Sequence, residues 1–304
     1  MNILIVDERA NEYRQHLTNA KHSFQFSTEL PDNSVCDILL ASPALAASAL
    51  KSGARPGWIQ STWAGVESIV PTVKALGGIH LTGLKGIFEP LMSEYVFAYM
   101  LNDLRSISHF RNFQEQHHWN DQKMPGTLTG KSLAVLGTGS IGAHLSKTAR
   151  QFGMKTIGVN RQGNPSIDFD VIETDILRAL KTADYVVCCL PHTSQTIGVI
   201  DASCFSAMKD NAMFINVGRG SSVVEPALIE ALSNAKIRCA IIDVFENEPL
   251  PTNSPLWELA NLTVTPHISA PSFPVDVAKI FLDNLSRYED GAPLRYEVDL
   301  DSGY

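Results

Sequence analysis

Short apolar runs alternate with segments whose apolar residues recur at helical intervals, from the first residues to about position 290. Near the start, residues 3–6, 24–26, 38–41, 58–61 and 79–81 read as strands, and 12–17, 43–50 and 66–75 carry helical spacing. An unbroken apolar run suits a strand covered on both faces, so strand–helix alternation predicts a small parallel sheet flanked by helices. Residues 90–119 then read as one long helix. Pro90 suits its first turn, and Met92, Val96, Tyr99, Leu104, Ile107 and Phe113 form its apolar face. Residues 120–130, with Pro125, Gly126 and Gly130, have the composition of a linker.

From Lys131 the rhythm begins again. A strand at 133–136 runs into Gly137-Thr138-Gly139-Ser140-Ile141-Gly142, then a helix with Leu145, Ala149 and Phe152 on one side, stopped at Gly153. Strands follow at 156–159, 185–190, 213–217, 239–244 and 262–265, with a helix at 226–233. That makes six strands, the complement a full dinucleotide-binding fold requires. After Pro274 the spacing of Val277, Ile280, Phe281, Leu285 and Tyr288 gives a last helix ending near Gly291.

The glycine spacing G-x-G-x-x-G is weak alone. Here a strand precedes it and a helix and strand follow, which is the context a dinucleotide site needs. The first glycine permits the tight turn, the second lets a pyrophosphate approach the backbone, and the third lets helix and strand pack closely. The helix N-terminus adds free N–H groups and positive dipole charge. Composition narrows the field further. The net charge of −8 and the lack of a basic block argue against nucleic acid as a partner. No stretch approaches a membrane span, and the start, MNILIVDERANE, reads as a strand rather than a signal peptide. Cys36, Cys188, Cys189, Cys204 and Cys239 lack metal-site spacing, so buried thiols in a reducing cytoplasm are expected, with no metal.

Ligands of an open parallel sheet bind outside the carboxyl ends of its strands. The strand at 213–217 is followed there by Arg219, the strand at 239–244 by Glu246 and Glu248, and the strand at 262–265 by His267. A guanidinium, a carboxylate and an imidazole therefore leave the sheet at one edge. The segments carrying them, 216–220 (NVGRG), 243–251 (DVFENEPLP), 255–257 (PLW) and 265–267 (TPH), resemble the D-isomer-specific 2-hydroxyacid dehydrogenase family, as do 190–193 (LPHT) and the glycine loop.

The resemblance implies two α/β domains, Rossmann-like and flavodoxin-like parallel sheets facing an interdomain cleft. Residues 1–99 with 274–304 would form the substrate domain and 100–273 the dinucleotide domain. It also implies reduction of a small 2-keto acid, of the glyoxylate or hydroxypyruvate kind, to the D-2-hydroxy acid by hydride transfer. Arg219 would hold the carboxylate and carbonyl through its forked donors. His267 would be the general acid in reduction and base in oxidation. Glu248 would hydrogen-bond His267, fixing its tautomer and favouring the imidazolium. Gly137 to Gly142, Pro191, His192, Val217, Gly218 and Asp243 would line the cofactor, with Asp243 near the nicotinamide carboxamide. The long helix and the family suggest a homodimer.

Two places depart from the pattern. The fingerprint calls for an acidic residue about 20 positions beyond the glycines to receive a ribose hydroxyl. This chain has Asn160 and Arg161, which would attract a 2′-phosphate, so NADPH is expected over NADH. The other is Trp63-Ala64-Gly65-Val66. Backbone N–H groups there would receive the substrate carboxylate, but Trp63 stands where glycine is common and either shapes the pocket or packs in the core. Of the other histidines, His144 is expected on the solvent side of the glycine-loop helix. Rival readings are formate or phosphite oxidation on the same scaffold and a cofactor-sensing module akin to co-repressors. The Arg219, Glu248 and His267 set favours the hydroxyacid enzyme, because formate oxidation delivers no hydroxyl proton to a base.

Overall fold

The computed structural model describes residues 1–17, 22–31, 35–119, 122 and 124–301. It divides into two compact units, Met1–Ile87 with Ser272–Tyr304, and Phe88–Pro271. The first contains β1 (Ile3–Val6), α1 (Ala10–Leu17), β2 (Phe24–Ser27), β3 (Ile38–Ala41), α2 (Pro43–Lys51), β4 (Trp58–Ser61), α3 (Val70–Leu76) and β5 (His80–Thr82). Its strands are parallel in the order β2-β1-β3-β4-β5, the flavodoxin-type arrangement. Every residue of β1, β3 and β4 is buried, as unbroken apolar runs require, whereas β2 lies at the edge and is partly exposed.

The second unit contains α4 (Glu89–Leu104), α5 (Ile107–Glu115), β6 (Ser132–Leu136), α6 (Ser140–Gln151), β7 (Lys155–Val159), β8 (Val171–Glu173), α7 (Ile176–Thr182), β9 (Tyr185–Cys188), α8 (Ala202–Ala207), β10 (Met213–Asn216), α9 (Glu225–Ser233), β11 (Cys239–Ile242) and β12 (Leu262–Val264). Its parallel sheet runs β12-β11-β10-β9-β6-β7-β8. That is the Rossmann order with one strand added beyond β11, and the order reverses between β6 and β9. The chain then returns to the first unit as α10 (Pro274–Glu289). Among the described residues no helix is long and apolar enough to cross a membrane.

Several expectations shift. The division falls at Ile87/Phe88 rather than at residue 99, because α4 packs on α6 and places Val96, Phe97 and Met100 in the second core. The long helix is two helices. The chain breaks at Ser106, which is left-handed with φ 54°, so α5 leaves in a new direction. The second sheet has seven strands, not six, since Val171–Glu173 is too short to register as a periodic segment. Helix α3 starts at Val70, with Pro71 in its first turn, rather than at Val66. The linker expected over 120–130 lies partly outside the described residues.

Helix α10 is bound to the first sheet by a buried polar network. Trp58 stacks on Phe281 and Tyr288 at 5.2 and 5.5 Å. Its Nε1 donates to Thr82 Oγ1 at 2.8 Å, and that hydroxyl donates to Gln60 Oε1 at 2.8 Å. Asn284 of α10 donates to Gln60 Oε1 at 3.2 Å and to the Arg295 carbonyl at 3.0 Å, and its Oδ1 accepts from Arg295 N at 2.8 Å. Fully satisfied, such a network fixes how the helix seats; partly satisfied, it is costly. Asn284→Leu strips the partners from Arg295 and is expected to destabilise the protein by about 1–3 kcal/mol. A lowered urea midpoint would show this, and an unchanged midpoint would refute the network's role.

Candidate active site

The glycine loop lies between β6 and α6, beside the point where the strand order reverses. Gly137 has φ 104°, which favours glycine, and its N–H donates to the Val159 carbonyl at 3.0 Å. A Cβ on Gly142 would lie 2.1 Å from the Gly137 carbonyl oxygen, so the helix can start this close to the turn only without a side chain. A Cβ on Gly139 would meet nothing within 4 Å. The middle glycine thus faces open space at the N-terminus of a 12-residue helix, the arrangement that admits a phosphate group. Ser140 and Ile141 begin this helix, and Thr138 precedes it.

At the end of β7, Asn160 braces the neighbouring loops. Its Nδ2 donates to Thr138 Oγ1 and to the Asn164 carbonyl, both at 3.2 Å, and its Oδ1 accepts from Gly163 N at 2.7 Å. Arg161 is exposed and donates through Nη1 to Gln195 Oε1, on the segment beyond β9. In the same segment His192 Nδ1 pairs with Ser221 Oγ at 2.7 Å, tying the Pro191–His192 turn to the turn after β10.

That second turn carries Arg219. Asn216, fully buried, closes it: its Oδ1 accepts from Gly218 N and its Nδ2 donates to the Arg219 carbonyl, each at 3.1 Å. Val217 is buried beneath, and the half-buried Arg219 donates from Nη1 to the Gly218 carbonyl at 2.8 Å.

Glu248 and His267 meet as expected. His267 Nδ1 and Glu248 Oε2 are 2.8 Å apart, and Glu248 Oε1 accepts from Phe245 N at 2.8 Å. Burial pushes the Glu248 carboxyl up. The His267 and Phe245 hydrogen bonds and the charges of His267 and Arg219 outweigh it and hold Glu248 below its ordinary value. An ionised carboxylate can only accept, so Nδ1 carries the proton in this pair.

Asp243, expected near the nicotinamide carboxamide, is fully buried. Its main-chain oxygen accepts from His267 N at 2.9 Å, its Oδ1 from Ile268 N at 2.9 Å and its Oδ2 from Ser269 N at 2.9 Å. Thr265 Oγ1 also donates to Oδ1, at 2.6 Å. Three consecutive amides thus converge on one residue, and His267 itself is left-handed with φ 55°. Asp243 therefore holds the backbone of the loop that carries the imidazole. Sequence reasoning gave no role to Thr265 or Asn216. Their only signal was a polar residue at or just beyond the end of an apolar strand. His144 was expected in solvent, but it is half-buried and pairs with Ser93 of α4 at 2.7 Å, because α4 covers that side of α6.

The second unit thus brings together the glycine loop, Asn160 and Arg161, Pro191 and His192, Arg219, Asp243, Glu248 and His267. The Trp63–Val66 turn belongs to the first unit. There Ser61 Oγ accepts from Trp63 N at 3.0 Å and donates to the Trp63 carbonyl at 2.9 Å. Trp63 is 47% exposed, Ala64 is exposed, Gly65 is half-buried and Val66 is buried, which removes the reading of Trp63 as a core residue.

The family description "D-isomer specific 2-hydroxyacid dehydrogenase, NAD binding domain" matches residues 97–269. A D-isomer specific 2-hydroxyacid dehydrogenase family protein of known structure from Aeromonas salmonicida is 38% identical, with a TM-score of 0.92 over 99% of both chains. An NADPH-dependent glyoxylate/hydroxypyruvate reductase from Sinorhizobium meliloti, solved with NADP and sulfate, is 26% identical with a TM-score of 0.85 over the whole of both chains. Glyoxylate/hydroxypyruvate reductase A of Escherichia fergusonii is 28% identical over 216 residues, 70% of this chain and 69% of its own.

Because Glu248 is held low when folded, its contribution to stability is present above the ordinary carboxylate pKa of about 4.3 and is lost as pH falls through its lowered value. Glu248→Gln is therefore expected to unfold at a lower temperature than the native chain at pH 7, with the gap narrowing once the pH drops below 4. A gap that stays constant with pH would contradict the ion pair.

Proposed function

The chain belongs to the D-isomer specific 2-hydroxyacid dehydrogenases, NAD(P)-dependent enzymes that interconvert 2-keto and 2-hydroxy acids, and on that premise we propose that it reduces a small 2-keto acid of the glyoxylate or hydroxypyruvate kind with NADPH. The observation that carries the reading is the His267–Glu248 pair, with Arg219 close enough for its charge to act on Glu248.

NADPH, when bound, supplies the hydride. The N–H groups that begin α6, beside the open face of Gly139, would hold its pyrophosphate. Arg219 holds the oxygens of the keto acid through its guanidinium donors. His267 would donate its Nε2 proton to the carbonyl oxygen of the keto acid as negative charge develops there, giving the hydroxyl. Glu248 keeps Nδ1 protonated and stabilises the imidazolium before transfer, and the ring takes a new proton from solvent afterwards. In the reverse direction the neutral ring accepts the hydroxyl proton at Nε2.

Arg161 selects the cofactor. A guanidinium where a carboxylate would stand attracts a 2′-phosphate and forms charge-assisted bonds with it; NAD is the weaker alternative. The NADP and NADPH-dependence in the name of the Sinorhizobium meliloti relative supports this reading. Free thiols throughout suit the cytoplasm. The assembled form we assign is a homodimer: α5 has no buried residue, and its Ile107 is 54% exposed. Sedimentation at twice the chain mass is expected, and a monomer at micromolar concentration would remove that assignment.

Two kinetic tests follow from the site. NADPH is expected to exceed NADH in kcat/KM by tenfold or more, and Arg161→Ala to erase most of that ratio through KM for NADPH. A tenfold preference for NADH would sink the cofactor assignment. His267→Ala is expected to lower kcat on glyoxylate or hydroxypyruvate about a hundredfold or more, the usual span of general acid–base catalysis. Full activity in that variant would remove His267 from its role.

A further inference from the structure

The loop that carries His267 is tied to a helix far from it in sequence. Tyr95, on α4, places its hydroxyl 2.6 Å from Thr265 Oγ1, and Thr265 Oγ1 lies 2.6 Å from Asp243 Oδ1. The Thr265 hydroxyl has one proton, and the carboxylate takes it, so the proton between Tyr95 and Thr265 belongs to the tyrosine. Burial pushes the Tyr95 phenol up and the Asp243 charge adds to it, outweighing the Thr265 bond, which keeps that proton in place. The direction of every bond is then set: Tyr95 donates to Thr265, Thr265 to Asp243, and Asp243 accepts the amides of Ile268 and Ser269 on its carboxylate and that of His267 on its carbonyl.

The other end is anchored as well. The Tyr95 ring packs on Tyr99 at 4.8 Å. Two residues earlier on α4, Ser93 pairs with His144 of α6, the helix that begins at the glycine loop. One helix thus holds both the element that receives the cofactor phosphates and the loop that carries the acid–base imidazole.

We propose that Tyr95 and Thr265 are positioning residues for proton transfer, a relay that sets His267 by orienting Asp243 against the loop's amides. Neither needs to touch substrate. The inference rests on the reading of His267 as the proton donor. The relay includes neither the glycine loop nor Arg161, so its loss should slow the chemical step and leave NADPH affinity alone.

The test compares Tyr95→Phe, Thr265→Val and Thr265→Ser with the native enzyme. Tyr95→Phe keeps the ring against Tyr99 and removes the hydroxyl with its bonds to Thr265 and Tyr99. In Tyr95→Phe and Thr265→Val, kcat with glyoxylate or hydroxypyruvate is expected to fall about tenfold, while KM and the directly titrated Kd for NADPH stay within twofold. Thr265→Ser, which restores the hydroxyl, is expected to recover most of the rate lost in Thr265→Val. Native kcat in both deletion variants, a matching loss of NADPH affinity, or failure of serine to recover the rate would each overturn the relay. His267→Ala, assayed alongside, separates the two readings. If it retains activity, the function assigned to His267 fails; if it is inactive while Tyr95→Phe is normal, only the relay fails.

Discussion

The site depends on one buried carboxylate. A left-handed conformation at a residue other than glycine costs about 1–3 kcal/mol and persists only where its surroundings over-determine it. His267 is such a residue, and Asp243 supplies the determination. Hydrogen bonds to charged groups contribute about 1.5–3 kcal/mol each, and two amides and a hydroxyl meet this carboxylate while a third amide meets its carbonyl. The balance favours the strained turn. Strand β11 thereby fixes the imidazole on the loop after β12, and the segment following β11 returns with Glu248 to hold its Nδ1.

The same logic of neighbouring strands places the other groups. Parallel strands end together, so the residues that follow them share an edge without any sequence proximity. Asn216 locks the Arg219 turn, His192 and Ser221 join that turn to the segment after β9, and Asn160 joins the end of β7 to the glycine loop. The turns that carry these groups are thus braced by side chains at the same edge of the sheet. Such support keeps donors and acceptors within the fraction of an ångström that catalysis needs.

Much of this was legible in the chain. The strands of both sheets stood out because buried parallel strands leave unbroken apolar runs, and the glycine loop because only glycine fits at Gly137 and Gly142. The order Arg219, Glu248, His267 followed from the edge rule. What escaped was set by tertiary contact. The break at Ser106 has no proline or glycine to announce it. Val171–Glu173 is too brief to show periodicity. Asp243 was read from its place after a strand, and a sequence does not show the loop amides that its carboxylate gathers. Thr265 and Tyr95 were silent for the same reason: their importance lies in a hydrogen bond across 170 positions of chain.

The most direct test of the account is a crystal structure of the enzyme with NADP and glycolate. It should place His267 Nε2 within hydrogen-bonding reach of the glycolate hydroxyl, about 2.6–3.2 Å, with Arg219 on the glycolate oxygens and the His267 amide still on Asp243. A glycolate hydroxyl facing another proton donor, or a His267 turned away from it with the loop released from Asp243, would contradict it.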